Sequence, residues 1–171
     1  MDDRSESTMD LRAFNTLPDA EARERLLTCL AVSRWADEVL AGRPYADHAG
    51  LADAASRAAA TLSDTEVDEA LSRHPRIGEE ASGGHDAAFS RREQAGVEGT
   101  DPAVAERIAE GNRAYEEKFG HVFLIRAAGR DATEILSELE RRLSNDEGTE
   151  RAETLGALRQ IALLRLEQVV S

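Results

Sequence analysis

Along nearly the whole chain apolar residues recur at spacings of three and four, and this period constrains the fold more than any other feature. Aromatic residues are only 4% of the composition, so strands rich in aromatic and β-branched side chains have little to be built from. Local punctuation agrees with helices. "SDTE" at 63–66 is a capping box, Ser63 with Glu66 three residues on, opening a helix through Val67, Ala70 and Leu71 that runs into His74. "TDPAVAERIAEGNRAYEEKFG" offers Asp101 as cap and Pro102 at the first helical position, carries Val104, Ile108, Tyr115 and Phe119 on one face, and stops at Gly120. "DATE" at 131–134 is a second capping pattern, leading to Ile135, Leu136, Leu139 and Leu143. A last helix from about Thr149 places Leu155, Leu158, Ala162 and Val169 near one stripe, with Ile161 and Arg165 beside it. Upstream, "DAEARERLLTCL", "SRWADEVLAG" and "DHAGLADAASRAAATL" read as three more helices. Only "HVFLIRA", 121–127, is expected as an extended segment or buried loop. The expected fold is all-α: a compact single-domain bundle of about eight helices, not simple up-and-down, over residues 9–171, with residues 1–8 loose.

Charge narrows the function. Lys plus Arg number 21 against 34 Asp plus Glu, a formal charge of −13, which disfavours the phosphate backbone of nucleic acid and anionic lipid surfaces. No apolar run has the length of a membrane span, and "MDDRSEST" has neither the basic nor the apolar region of a signal peptide, so a cytoplasmic protein without a membrane partner is expected. Cys29 is the single cysteine and sits among Leu26, Leu27 and Leu30, which reads as a buried structural thiol.

Two short stretches carry candidate chemistry. In "LSRHPRIGEEASGG", 71–84, Pro75 pushes His74 out of the α region, so its imidazole projects from a defined backbone. A histidine at a helix C-terminus is also favoured by the local dipole without any function, and spacing alone favours that plainer explanation. "SRREQAG", 90–96, sets Ser90, Glu93 and Gln94 close enough to converge on a small polar ligand, or is simply a solvated charged helix end. The histidines His48, His74, His85 and His121 form no i, i+4 pair and no HExxH, which gives a metal site weak support. GxGxxG, GxxxxGK[ST] and GxSxG are absent.

Taken together, "RWADEVLAGRPY", "LSRHPRIGEE", "FSRREQAGV", "NRAYEEKFGHVFLIRAAGR" and "RRLSNDEGTERAETLGALRQIALLRLEQV" follow one another in an order that resembles the 2-oxo-4-hydroxy-4-carboxy-5-ureidoimidazoline (OHCU) decarboxylases, which act last in the conversion of urate to allantoin. The resemblance covers most of residues 10–171 and implies an all-helical fold, a homodimer, a small ureide substrate and no cofactor or metal. It implies that His74 is the catalytic histidine and Pro75 its substrate-contacting neighbour. Ser90, Arg91, Arg92, Glu93 and Gln94 match the polar segment that holds the ureido and ring groups, with Glu93 the essential carboxylate. Phe123, Leu124, Ile125, Arg126 and Ala127 match the segment whose backbone lines the ring, and Arg165 matches an arginine near the site. The loop "EEASGGHDAAF" varies in this family, so His85 and Asp86 inherit no role, and no transthyretin-like hydrolase domain is recognisable in these 171 residues. This company shifts His74 from helix stop to chemistry. Two readings of other classes compete with it: a helical interaction module with an apolar stripe on its C-terminal helix, and a metal-dependent hydrolase using His74, His85, His121 and nearby carboxylates.

Overall fold

The computed structural model describes residues 8–79, 89 and 91–171. They form eight α-helices: α1 Leu11–Thr16, α2 Asp19–Cys29, α3 Ser33–Ala41, α4 His48–Ala60, α5 Asp64–Leu71, α6 Pro102–Phe119, α7 Ala132–Leu143 and α8 Glu147–Val169, with a 3-10 turn at Ala95–Val97 and no strand among the described residues. The all-α expectation holds. Of the N-terminal segment expected to be loose, residues 1–7 lie outside the described residues, and Thr8 is held by a hydrogen bond from its hydroxyl to the Gln168 carbonyl, 3.0 Å. No helix among the described residues is long and apolar enough to cross a membrane.

The chain divides into two compact units: residues up to Glu66 together with Arg159–Ser171, and Val67–Leu158. In the first, Trp35 is fully buried and donates its indole N–H to the Ala55 carbonyl, 2.9 Å, so the one large aromatic of α3 reaches α4 without an orphaned donor. Cys29 is buried, as its leucine-rich neighbourhood implied. The capping box at the start of α5 forms: Glu66 N–H donates to Ser63 Oγ at 3.2 Å and Ser63 N–H to Glu66 Oε2 at 2.8 Å. Helix α1 was not legible in the sequence. Asp10 caps it by accepting from Ala13 N–H, 2.7 Å, and the Arg43 guanidinium, over the buried Phe14 ring, donates to the carbonyls of Phe14 at 2.7 Å and of the C-cap Leu17 at 2.9 Å.

In the second unit α6 and α7 form the frame. Asp101 caps α6 through Ala103 N–H at 2.8 Å, Pro102 occupies its first turn, and Gly120 ends it in the left-handed region at φ +76°. A Cβ at Gly111 would sit 2.6 Å from Leu139 Cδ2, so a glycine in mid-helix is what lets α6 approach α7. Asp131 and Glu134 complete a reciprocal capping box on α7, and Lys118 caps its other end by donating to the Leu143 and Asn145 carbonyls at 2.6 and 2.9 Å.

Candidate active site

The histidine loop begins one turn after a helix that stops earlier than expected. α5 ends at Leu71, after which Arg73 and His74 donate to the carbonyls three residues back, Ala70 and Leu71, at 3.3 and 3.1 Å. The proline that follows forbids another α turn, so the chain tightens and leaves. His74 Nδ1 then lies 2.8 Å from the Ala70 carbonyl oxygen, which anchors the ring of this half-buried residue against the last turn of α5.

Side chains from two other elements hold the rest of the box. Gln94 accepts from Gly78 N–H at 3.0 Å and points its amide nitrogen to the Arg76 carbonyl at 3.5 Å. The buried Asn112 of α6 donates to the Ile77 carbonyl at 3.1 Å. Arg76 pairs with Glu116 at 2.6 Å, and this hydrogen bond raises the guanidinium pKa above its usual value. Gly78 lies at φ +89°, a conformation that a β-carbon disfavours. Four consecutive residues, Arg76 to Glu79, are thereby fixed by groups outside their own turn or by short loop bonds.

The second box packs by close approach. A Cβ on Gly96 would fall 2.1 Å from the Arg130 carbonyl oxygen, so "QAG" must present a bare backbone to the turn preceding α7. Val97 then packs against a core that includes Ile77, Ile108, Tyr115, Phe123, Ile125, Ala127, Ile135 and Leu139. That cluster is where the three sequence boxes meet: Ile77 from the histidine loop, Val97 beside "SRREQAG", and alternate residues of "FLIRA".

Residues 122–127 are neither helix nor strand, as expected of a buried loop. Phe123, Leu124, Ile125 and Ala127 are buried and Arg126 is exposed. Arg142 donates to the Leu124 carbonyl at 2.6 Å and lies over the Phe123 ring, 4.7 Å from its centroid. Its guanidinium also pairs with Glu150, through Nε at 2.9 Å and through Nη2. Glu150 accepts from the Tyr115 hydroxyl and, on its other oxygen, from Asn145 at 3.0 Å. Burial, and after it the Glu150 carboxylate, hold the Tyr115 phenol above its ordinary pKa, so it remains a neutral donor. Tyr115 also meets Phe119, His121 and Phe123 ring to ring. The "YEEKFGHVF" segment is therefore scaffolding: tyrosine to the buried carboxylate, lysine to a helix end, glycine to the left-handed stop.

Of the remaining site candidates, Pro75, Glu93 and Gln94 are half-buried, and Arg91 and Arg92 are exposed. Ser90, with Gly83, Gly84, His85 and Asp86, lies outside the described residues. Arg165 is buried on α8 and belongs to the first unit. Among the described residues no group of three His, Cys, Asp or Glu side chains is arranged to hold a metal ion. Sequence reasoning passed over Asn112, Arg142 and Glu150. The available signal was placement: Arg142 falls on the stripe of Ile135 and Leu139, and Glu150 and Thr154 precede Leu158 and Ile161 on theirs, so these polar groups occupy core positions.

Residues 15–167 match the OHCU decarboxylase family. The chain is 31% identical over 169 residues to the 2-oxo-4-hydroxy-4-carboxy-5-ureidoimidazoline decarboxylase of Amia calva, covering 95% of each protein. It is 27% identical to the uric acid degradation bifunctional protein of Bacillus sp. (strain TB-90), covering 94% of this chain but only 32% of that longer protein. Its fold matches the crystal structure of an OHCU decarboxylase in the presence of (S)-allantoin, with a TM-score of 0.69 at 24% identity over 88% of this chain and 96% of the other. With a family match spanning nearly its whole length and an all-α structure to accompany it, the chain belongs to the OHCU decarboxylase family.

Proposed function

We propose that this protein decarboxylates 2-oxo-4-hydroxy-4-carboxy-5-ureidoimidazoline to (S)-allantoin, without a cofactor, with His74 as acid/base and Glu93 as the orienting carboxylate. The observation that supports the reading is the packing of Ile77, Val97, Phe123, Ile125 and Ala127 around one cluster, because the resemblance gives the three stretches they come from to the substrate site.

The substrate makes cofactor-free chemistry reasonable. Its ring carbon bears both the carboxylate and a hydroxyl and adjoins a C=N bond. When the bond to the carboxylate breaks, CO2 leaves, the bonding pair forms a C=C bond to the neighbouring ring carbon, and the C=N π pair moves onto the ring nitrogen, which takes a proton from solvent or an acid to give an ene-amine. A proton then adds to the neighbouring ring carbon while the hydroxyl gives up its proton to become the carbonyl of allantoin. Pyridoxal, thiamine or a metal would supply an electron sink that this ring already contains. The protein's tasks are to hold the carboxylate out of the ring plane, to move the proton, and to deliver it to one face.

His74 suits the proton transfer because an imidazole exchanges protons near neutral pH. With Nδ1 turned to the Ala70 carbonyl, the proposal gives the acid/base work to Nε2. Glu93 would accept from ring or ureido N–H groups and choose the face that meets the imidazole. Arg91, Arg92 and Arg126 provide exposed cations near the candidate segments to attract an anionic substrate to a chain of charge −13. A homodimer in the cytoplasm is part of the same proposal, resting on the family resemblance.

The test is to oxidise urate enzymatically, hydrolyse the first product, and record optical rotation with and without the protein. Rapid appearance of one allantoin enantiomer is expected. Slow racemic product at the uncatalysed rate would refute the assignment.

A further inference from the structure

We infer that Arg142 is a positioning residue for the reaction proposed above, its guanidinium locked by Glu150 so as to fix the backbone at Phe123 and Leu124 beside the substrate ring. The inference rests on that functional reading, because it is the reading that gives the 123–127 segment a substrate.

Residues 122–127 have no helix or strand ladder to set their register. Side chains must do it. Arg142 reaches two consecutive residues of the segment at once, the Leu124 carbonyl by a hydrogen bond of 2.6 Å and the Phe123 ring by stacking at 4.7 Å. A planar fork with fixed donor directions specifies both contacts together, where a flexible ammonium would specify neither.

The fork is itself held. Glu150 Oε1 accepts from its Nε and Nη2, Thr154 Oγ1 lies 3.4 Å from Nη2, Tyr115 donates to the same Glu150 oxygen and Asn145 to the other. Arg142 is 3% exposed and Glu150 1%. Desolvating such a pair offsets most of its attraction, and well-packed apolar replacements are commonly as stable. Net stability is therefore a poor explanation for it; direction is a better one.

This difference provides the test. The double variant R142M/E150L removes both buried charges without stranding either. It is expected to keep the helical spectrum and a cooperative melt, at a Tm lowered by the Tyr115 hydroxyl and Leu124 carbonyl that lose their partners, and to lose roughly 10- to 100-fold in kcat/KM, the scale of a small misplacement in an active site. Backbone amides of residues 124–127 should exchange with solvent faster in the variant, a readout independent of turnover. Wild-type kinetics and unchanged exchange in the folded double variant would overturn the inference. Should that variant fail to fold, R142K decides: it retains the charge beside Glu150 but not the reach to Leu124, and wild-type kinetics in folded R142K would equally overturn it. Inactivity of the wild-type protein toward OHCU would refute the functional reading instead, while the exchange measurement would still report whether Arg142 holds the segment.

Discussion

His74 Nδ1 and the Ala70 carbonyl oxygen, one helical turn apart in sequence, lie 2.8 Å from each other. A carbonyl can only accept, so Nδ1 carries the hydrogen and the neutral ring is the Nδ1–H tautomer. Nitrogen chemical shifts of the neutral imidazole, assigned by comparison with His74→Asn, should show a pyrrole-type Nδ1 and a pyridine-type Nε2. The reverse pattern would place the basic nitrogen against the helix and remove it from the proposed proton transfer.

Two glycine substitutions should move stability in opposite directions. Alanine at Gly96 would set its Cβ 2.1 Å from the Arg130 carbonyl oxygen, a backbone atom that cannot swing aside. Gly96→Ala should cost about 1–3 kcal/mol, the range for overpacking, or roughly 2–4 °C in Tm per kcal/mol in a chain of this size. Gly156, inside α8, has no atom of the described residues within 4 Å of the same position. Gly156→Ala should stabilise by about 0.5–1 kcal/mol through helix propensity. Thermal melts of the two variants check both signs, and a neutral Gly96→Ala would contradict the close approach.

Helix ends were legible because their signals are local. Ser63 with Glu66, Asp131 with Glu134, Pro102 and Gly120 each announce a boundary within four residues, and the structure uses every one. Helix α1 escaped notice because six residues are too few to show a period, and the guanidinium that completes its C-terminus comes from Arg43, 26 and 29 residues away. Arg142 was hidden in the same way, its partners lying 8 to 18 residues away. "ERRL" reads as a solvated charged turn until the fold shows that Arg141 faces the half-buried Glu138 and Glu153, whereas Arg142 faces Glu150 in the core. Gln94 was legible as a site residue, but its engagement with the backbone of the histidine loop required the structure.

Acid should weaken the protein partly through Glu66. The Arg34 side chain, and after it the Ser63 backbone N–H, bring its carboxyl from an ordinary 4.5 down to about 2. A folded-state pKa below the unfolded one contributes stability that is fully present above about pH 4.5 and is lost as pH falls toward about 2. Glu138, Glu153 and Asp146 are lowered as well, so a difference isolates the effect. The Tm gap between wild type and Glu66→Gln should be widest above pH 4.5 and close progressively below it. A gap independent of pH would contradict the ion-paired carboxylate.

The central claim is that a histidine fixed at the end of α5 drives a cofactor-free decarboxylation. The measurement that tests it most directly compares wild type with His74→Asn on freshly generated OHCU, following optical rotation while far-ultraviolet circular dichroism confirms the fold. Asparagine approximates the size of the ring but cannot exchange a proton at neutral pH. The account predicts an unchanged helical spectrum and a rate lower by roughly 10²- to 10⁴-fold, the usual contribution of a positioned acid or base. A folded His74→Asn variant that forms one allantoin enantiomer at close to the wild-type rate would contradict it.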